Sequence, residues 1–240
     1  MPRSPAGIVI FGDVVDSRDE PTASVGFLRT LCRELEGLYD ADKLASFGFT
    51  QGDELQGLLA PSADPFRAIL HAGLHPDYRP IRWAIAAGRI EDGSGPATER
   101  TGEAFLAARQ ALEWARARRD RLVVRTGDPH ADGLLDDLAP LLVEHLDGLT
   151  GVQREATRLL AEDGLRQAQV ADRLGVTRAT VSVVAKRARA RSIIRLARAI
   201  DTIFAAGGMN SVAALSVLVL PEAVPPQQII ESPCSTASHM

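Results

Sequence analysis

The stretch F-T-Q-G-D-E-L-Q-G-L-L-A, residues 49–60, decides how the first half of this chain folds. Residues 46–50 and 55–60 have strand length, and Gly52-Asp53 between them suits a tight turn, where glycine tolerates left-handed backbone. Working outward, the apolar run of residues 8–11 reads as a strand. Residues 22–37 read as a helix, with Val25, Leu28, Leu31, Leu35 and Leu38 on one face. Residues 64–74 are helical, 81–88 form a strand, 102–118 an alanine-rich helix and 121–125 a last strand. A hairpin inside this β-α-β-β-α-β-α-β order rules against a doubly wound parallel sheet. It predicts an α+β fold, with an antiparallel or mixed sheet and helices packed on one face.

The character of the chain changes after Asp128. Residues 129–149 are expected to form a connecting helix, and 152–205 read as almost wholly helical. Gly207-Gly208 is expected to break that run, and the tail from Pro221 carries Pro225-Pro226. The division that follows is 1–128 for an α+β domain, 129–149 for a connector, 150–206 for a helical domain and 207–240 for a tail.

The net charge of -4 hides an asymmetry. Residues 1–150 carry 16 Lys and Arg against 24 Asp and Glu, whereas residues 151–200 carry 11 against 4. A basic segment in an acidic chain suggests a local polyanion site. Two widely separated cysteines, Cys32 and Cys234, argue against a disulfide framework or a zinc site, and point to a reduced, cytoplasmic setting. No signal peptide is evident, and the apolar run 211–220 is too short to span a bilayer, so no membrane partner is expected.

The basic segment contains Q-A-Q-V-A-D-R-L-G-V-T-R-A-T-V-S-V-V-A-K, residues 167–186. This fits two helices crossing over a short turn. Ala171 is small where the helices approach, and Gly175 sits at the turn. Val170, Leu174, Val176, Val181 and Val184 are placed for the shared core, and Thr177 for the second helix's cap. Outward on that helix lie Arg178, Ala179, Thr180, Ser182, Val183 and Lys186, a set suited to a major groove. Arg187, Arg189 and Arg191 follow for phosphates. A DNA contact set of Thr177, Arg178, Thr180, Ser182, Lys186, Arg187 and Arg189 is the expectation, with a homodimer on paired half-sites. Residues 148–190 also resemble the DNA-binding region of sigma factors. That resemblance implies a supporting helix at 152–161. Nothing upstream resembles a polymerase-binding part.

Two acidic segments stand out, F-G-D-V-V-D-S-R-D at residues 11–19 and the hairpin at 49–60. Asp13 and Asp16 fall just past the first strand, and Asp53 falls in the turn beside Glu54. If that strand neighbours the hairpin, Asp13 and Asp53 converge as a hard-cation site for magnesium. Ser17 and Arg18, at the start of the following helix, would hold phosphate. Each aspartate alone reads better as a turn or cap residue, and it is the set together that points to a site.

These two segments resemble the signature of the SatD family, G-D-V/I-V-x-S-R followed by F-x-x-x-G-D-E-x-Q-G-L, often with a terminal helix-turn-helix. More distantly, the N-terminal half resembles the palm-like (ferredoxin-like, βαββαβ) domain of class III nucleotide cyclases. That resemblance implies metal-binding roles for Asp13 and Asp53 and a phosphate contact for Arg109, within G-E-A-F-L-A-A-R at residues 102–109. Leu106 stands near the cyclase asparagine, and Asp16-Ser17-Arg18 replaces the small phosphate turn, so a shared scaffold does not by itself imply cyclase chemistry. The histidines 71, 75, 130 and 145 match no metal spacing and are expected at the surface. Trp83 and Trp114 are expected to pack in the core. The functional expectation is a DNA-binding regulator whose N-terminal domain binds a nucleotide or other phosphorylated ligand with magnesium. The alternative is a magnesium-dependent nucleotidyl cyclase or related phosphoryl-transfer enzyme.

Overall fold

The computed structural model describes residues 5–17, 19–49, 54–161 and 164–217, the side chains of 209–217 apart. Asp53 and Arg18 lie outside the described residues, as do the hairpin turn and the chain from residue 218 onward.

The described strands form one five-stranded sheet. They are β1 (Ala6–Val14), β2 (Lys43–Phe49), β3 (Glu54–Leu59), β4 (Ile81–Arg89) and β5 (Leu122–Arg125), in the order β2-β3-β1-β4-β5. β1 lies between β3 and β4 and is antiparallel to both, and β2 is antiparallel to β3. That is the ferredoxin-like arrangement of a palm. β5 adds a parallel edge beside β4. Helices α1 (Pro21–Leu38) and α2 (Phe66–Leu74) make the connections expected of this topology, and α3 (Glu103–Arg118) carries the chain from β4 to β5.

The helices do not all lie on one face, as the sequence had suggested. Alternation along β1 sends Ile8, Ile10 and Val14 into a core with α1 and α2, and Val9 and Phe11 into a second core with α3. β1 and β4 run in opposite directions and their crossovers lead to opposite edges, so connections of one hand would put all three helices on one face. α3 covers the other face, and the β4-α3-β5 crossover therefore has the hand opposite to β1-α1-β2. α3 can lie close because it presents Ala104, Ala108, Ala111 and Ala115 to the sheet.

α4 (Pro129–Asp147) is capped by Asp128, whose carboxylate accepts from the N–H groups of His130 and Ala131. It contributes Leu135, Ala139, Leu142, Val143 and Leu146 to the first core. α5 (Gly151–Ala161), α6 (Gln167–Leu174) and α7 (Arg178–Arg187) follow, and then α8 (Ala190–Val217), 28 residues long. α8 returns to the sheet domain, placing Ile193, Ala197, Ile200 and Phe204 in that same core, with Phe204 edge-on to Phe66.

Gly207-Gly208 does not break α8. A Cβ at Gly207 would stand 2.6 Å from Ala131 Cβ and 2.7 Å from Thr126 Oγ1. The glycine serves close helix packing rather than termination. Trp83 is buried as expected, but Trp114 is 41% exposed. It lies on the outer side of α3, where the guanidinium groups of Arg125 and Arg118 cover its ring at 4.9 and 5.9 Å.

Candidate functional site

β1 extends three residues further than its apolar run, so Asp13 lies within the strand rather than beyond it. In register, Asp13 faces Glu54 of β3 on one side and Arg82 of β4 on the other. All three fall on the α3 face, at the end of the stripes Val9-Phe11-Asp13, Leu58-Gln56-Glu54 and Ala86-Ala84-Arg82. Three central strands thus change from apolar to charged at the same level. α3 crosses above that level with Arg109 and Arg116, two turns apart on one helical face.

These side chains pair with one another. Asp13 and Glu54 are each 7% exposed. Asp13 Oδ2 accepts from Arg82 Nη1 and from Arg116 Nε, both at 3.1 Å. Glu54 accepts from Arg109 through Oε2 and from Gln56 Nε2 at 2.8 Å through Oε1. Arg116 also meets Glu113 at 2.6 Å and lies 3.8 Å from Glu54. Its guanidinium is held more firmly protonated than usual, first by the Asp13 hydrogen bond. Arg109 lies 4.6 Å above the Phe11 ring. Beside this row opens a cleft of about 600 Å³, lined in part by Asp13, Asp16, Ser17, Asp19, Arg82 and Arg116.

Of the residues expected from sequence, Asp13 and Ser17 share this cleft, while Arg109 stands next to it on Glu54. Glu54, Arg82 and Arg116 emerge as site residues that sequence reasoning did not single out. A magnesium ion would need the Asp13 carboxylate, and two guanidinium groups already deliver their hydrogens to its Oδ2. The described donors do not fit a divalent cation unless those arginines move away.

The histidines are less scattered than their sequence suggests. His71 and His75 both reach Glu34 Oε2, at 2.9 and 3.4 Å, and His75 is buried. Their i, i+4 spacing, from the last turn of α2 to its C-cap, was the available signal. His75 Nδ1 accepts the N–H of Asp77, which leaves the ring proton on Nε2, 3.4 Å from Glu34 Oε2. That proton occupies the lone pair a metal would need.

The helix-turn-helix is α6 and α7, supported by α5. α6 ends at Gly175 with φ 65, and the N–H of Val176 closes onto Ala171 O at 3.0 Å. Thr177 caps α7, its Oγ1 accepting from the Thr180 N–H at 3.1 Å. Leu159, Val170, Ala171 and Val181 form the small core, with Leu174 packed against it. Val176 does not join them. It is 42% exposed, because the left-handed turn points the following residue away from the helix pair. Arg178, Thr180, Ser182, Lys186, Arg187 and Arg189 are all exposed, and among the described residues none of these cations carries an ion pair.

One arginine of this region faces inward. Arg154 of α5 is 5% exposed. It donates to the carbonyls of Gly73 and Leu149 and stacks 3.7 Å above the Tyr78 ring. Tyr78 in turn donates to Asp147, which Arg121 holds at 2.8 Å.

The SatD family model matches residues 7–135, more than half of the sequence and all five strands. The chain belongs to the SatD family. Beyond this family, an ECF RNA polymerase sigma factor, SigK of Mycolicibacterium vanbaalenii, is 38% identical over 104 residues. The match covers 39% of this SatD-family chain and 50% of that protein, so the chain spans half the length of that relative. Among solved structures, a bacterial light-regulated adenylyl cyclase is 15% identical with a TM-score of 0.38, covering 51% of this chain and 77% of that one. A regulator of polyketide synthase expression from Bifidobacterium adolescentis is 16% identical with a TM-score of 0.26, covering 85% and 82%. Among the described residues no helix is long and apolar enough to cross a membrane.

Proposed function

We propose that this SatD-family protein is a DNA-binding regulator whose sheet domain binds a small phosphorylated ligand, a nucleotide among the candidates. The observation that carries the reading is the outer face of α7. Its N-terminus is capped by Thr177, its inner residue Val181 is buried, and Arg178, Thr180 and Ser182 stand exposed on the turn that would enter a major groove. Lys186, Arg187 and Arg189 flank that turn as phosphate contacts. The partial identity with a sigma factor supports the same reading.

The test is fluorescence anisotropy of the full chain on duplexes selected from a random pool, against shuffled duplexes. Affinity is expected to fall steeply as salt rises from about 50 to about 200 mM, with a preference for the selected sequence. No binding to any duplex at low salt would end the DNA-binding reading. Mass determination in the same samples reports whether two copies bind, as paired half-sites would require.

A further inference from the structure

Asp13 is the most enclosed charge in the cleft, and both arginines that line the cleft point at it. Two cationic side chains converging on one oxygen is the arrangement that holds a phosphate. Here a carboxylate of the protein's own takes that place. We infer that Arg82 and Arg116 form the anion-binding pair of this cleft, that the ligand is a small phosphorylated compound, and that Asp13 is a built-in competitor which the ligand displaces. This rests on the reading of the sheet domain as a ligand-binding module and names the side chains that do the binding.

Several observations support displacement over a static structural pair. Arg116 is not locked to one partner, since its three nitrogens face Asp13, Glu113 and Glu54. Arg82 Nε is buried with no hydrogen-bond partner, so that guanidinium is not fully used by the present arrangement. The cleft volume of about 600 Å³ suits a small molecule. A phosphoryl group carries more charge than one carboxylate and offers three oxygens, so it can meet both arginines at once. Asp16 and Asp19 also line the cleft but are exposed at its rim, where water and salt screen them. Asp13 is enclosed beside the arginines, and its charge is the one an incoming anion meets. Glu54 stays occupied by Arg109 and Gln56 throughout.

If Asp13 bound the ligand through a bridging cation, removing its charge would abolish binding. If Asp13 competes with the ligand, removing its charge strengthens binding. The experiment is calorimetric titration of the full-length protein with inorganic pyrophosphate, in EDTA and then in magnesium. Wild type is expected to bind pyrophosphate without metal. Asp13→Asn is expected to bind about tenfold more tightly, and Arg116→Gln and Arg82→Gln about tenfold or more weakly. A thermal melt with and without pyrophosphate gives a second readout, and the melt without ligand shows whether each variant is folded. Pyrophosphate should raise the midpoint of Asp13→Asn more than that of wild type.

Loss of binding in a folded Asp13→Asn protein overturns the inference, as does binding that appears only with magnesium. That second result leaves the ligand-binding reading intact. Absence of pyrophosphate binding under every condition overturns both the inference and the ligand-binding reading. DNA binding, measured separately, is untouched by any of these outcomes.

Discussion

Arginine is used in opposite ways in two parts of this molecule. In the sheet domain Arg82, Arg109 and Arg116 are each paired with a carboxylate of the protein. On α7 and just beyond it, Arg178, Arg187, Arg189 and Arg191 are exposed, and no ion pair joins them to the described residues. A paired guanidinium on the protein's own acid is neutral to the outside and responds only to a stronger competitor. An unpaired one is attractive to any polyanion at once, through the field it adds to the surface. On the proposed reading, this pairing suits the sheet domain to selective response and the helix-turn-helix to immediate contact.

Arg154 belongs to neither class, and replacing it is the strongest way to break the comparison. It lies in the basic segment but is buried, spanning α5, the end of α2 and Tyr78. A cation at the C-terminal end of α2 is favourable, and its burial is tolerated because two carbonyls and an aromatic face surround it. Arg154→Met fills the space but leaves the Gly73 and Leu149 carbonyls without their donor. The expected cost is about 3 kcal/mol of stability, read as a lowered urea midpoint with an unchanged slope. A change under about 0.5 kcal/mol would mean that Arg154 does not fasten α5 to the sheet domain.

Substitutions on the open face should leave stability alone and change only DNA binding. Arg178→Ala is expected to lose about 1–3 kcal/mol on a selected duplex and to relax its sequence preference. Arg187→Ala should weaken binding about equally on all duplexes and reduce the salt slope by about one. Equal effects of the two variants on selected and shuffled DNA would remove the distinction between a reading residue and a positioning residue.

Much of this architecture was legible beforehand. The hairpin at residues 49–60 correctly implied antiparallel pairing, and the turn glycine with its threonine cap announced α6 and α7. Local signals of that kind are written in adjacent residues. The second helical layer was missed because alternation in β1 says only that both faces are apolar, not which helix covers which. Asp13 was read as a loop residue because a charged side chain ends an apolar run, although it continues the strand. Arg82 and Arg116 gave no local signal. Their role depends on strand register and on α3 crossing the sheet, contacts 69 and 103 residues apart in sequence. The available clue was a period-two stripe ending in charge on three strands, opposite a helix with arginines two turns apart. Gly207 misled for the related reason that a glycine signals a helix end and close packing in the same way.

The smallest expected effect concerns a like-charge contact between the two regions. Asp201 of α8 lies against Asp64, just ahead of α2. Burial, followed by the charge of Asp64, raises the Asp201 carboxyl to about 6. Asp64 is also raised by burial, but it accepts hydrogen bonds from Phe66 N–H and from Asp201, which pull the other way. A carboxyl raised in the folded state binds its proton more tightly than in the unfolded chain. Its contribution is therefore fully present below the ordinary carboxylate range and is lost as pH rises through about 6. Stability should then decline between about pH 4 and about pH 7 by a fraction of a kcal/mol, because water reaches half-buried Asp201 and screens the pair. Asp201→Asn keeps the hydrogen bond to Asp64 without the titration, so its stability profile should be flatter over that window. Urea midpoints measured in steps of half a pH unit would resolve the difference. Parallel profiles for wild type and Asp201→Asn would show that the two carboxyls do not share a proton, and that α8 is held to the sheet domain by its apolar residues alone.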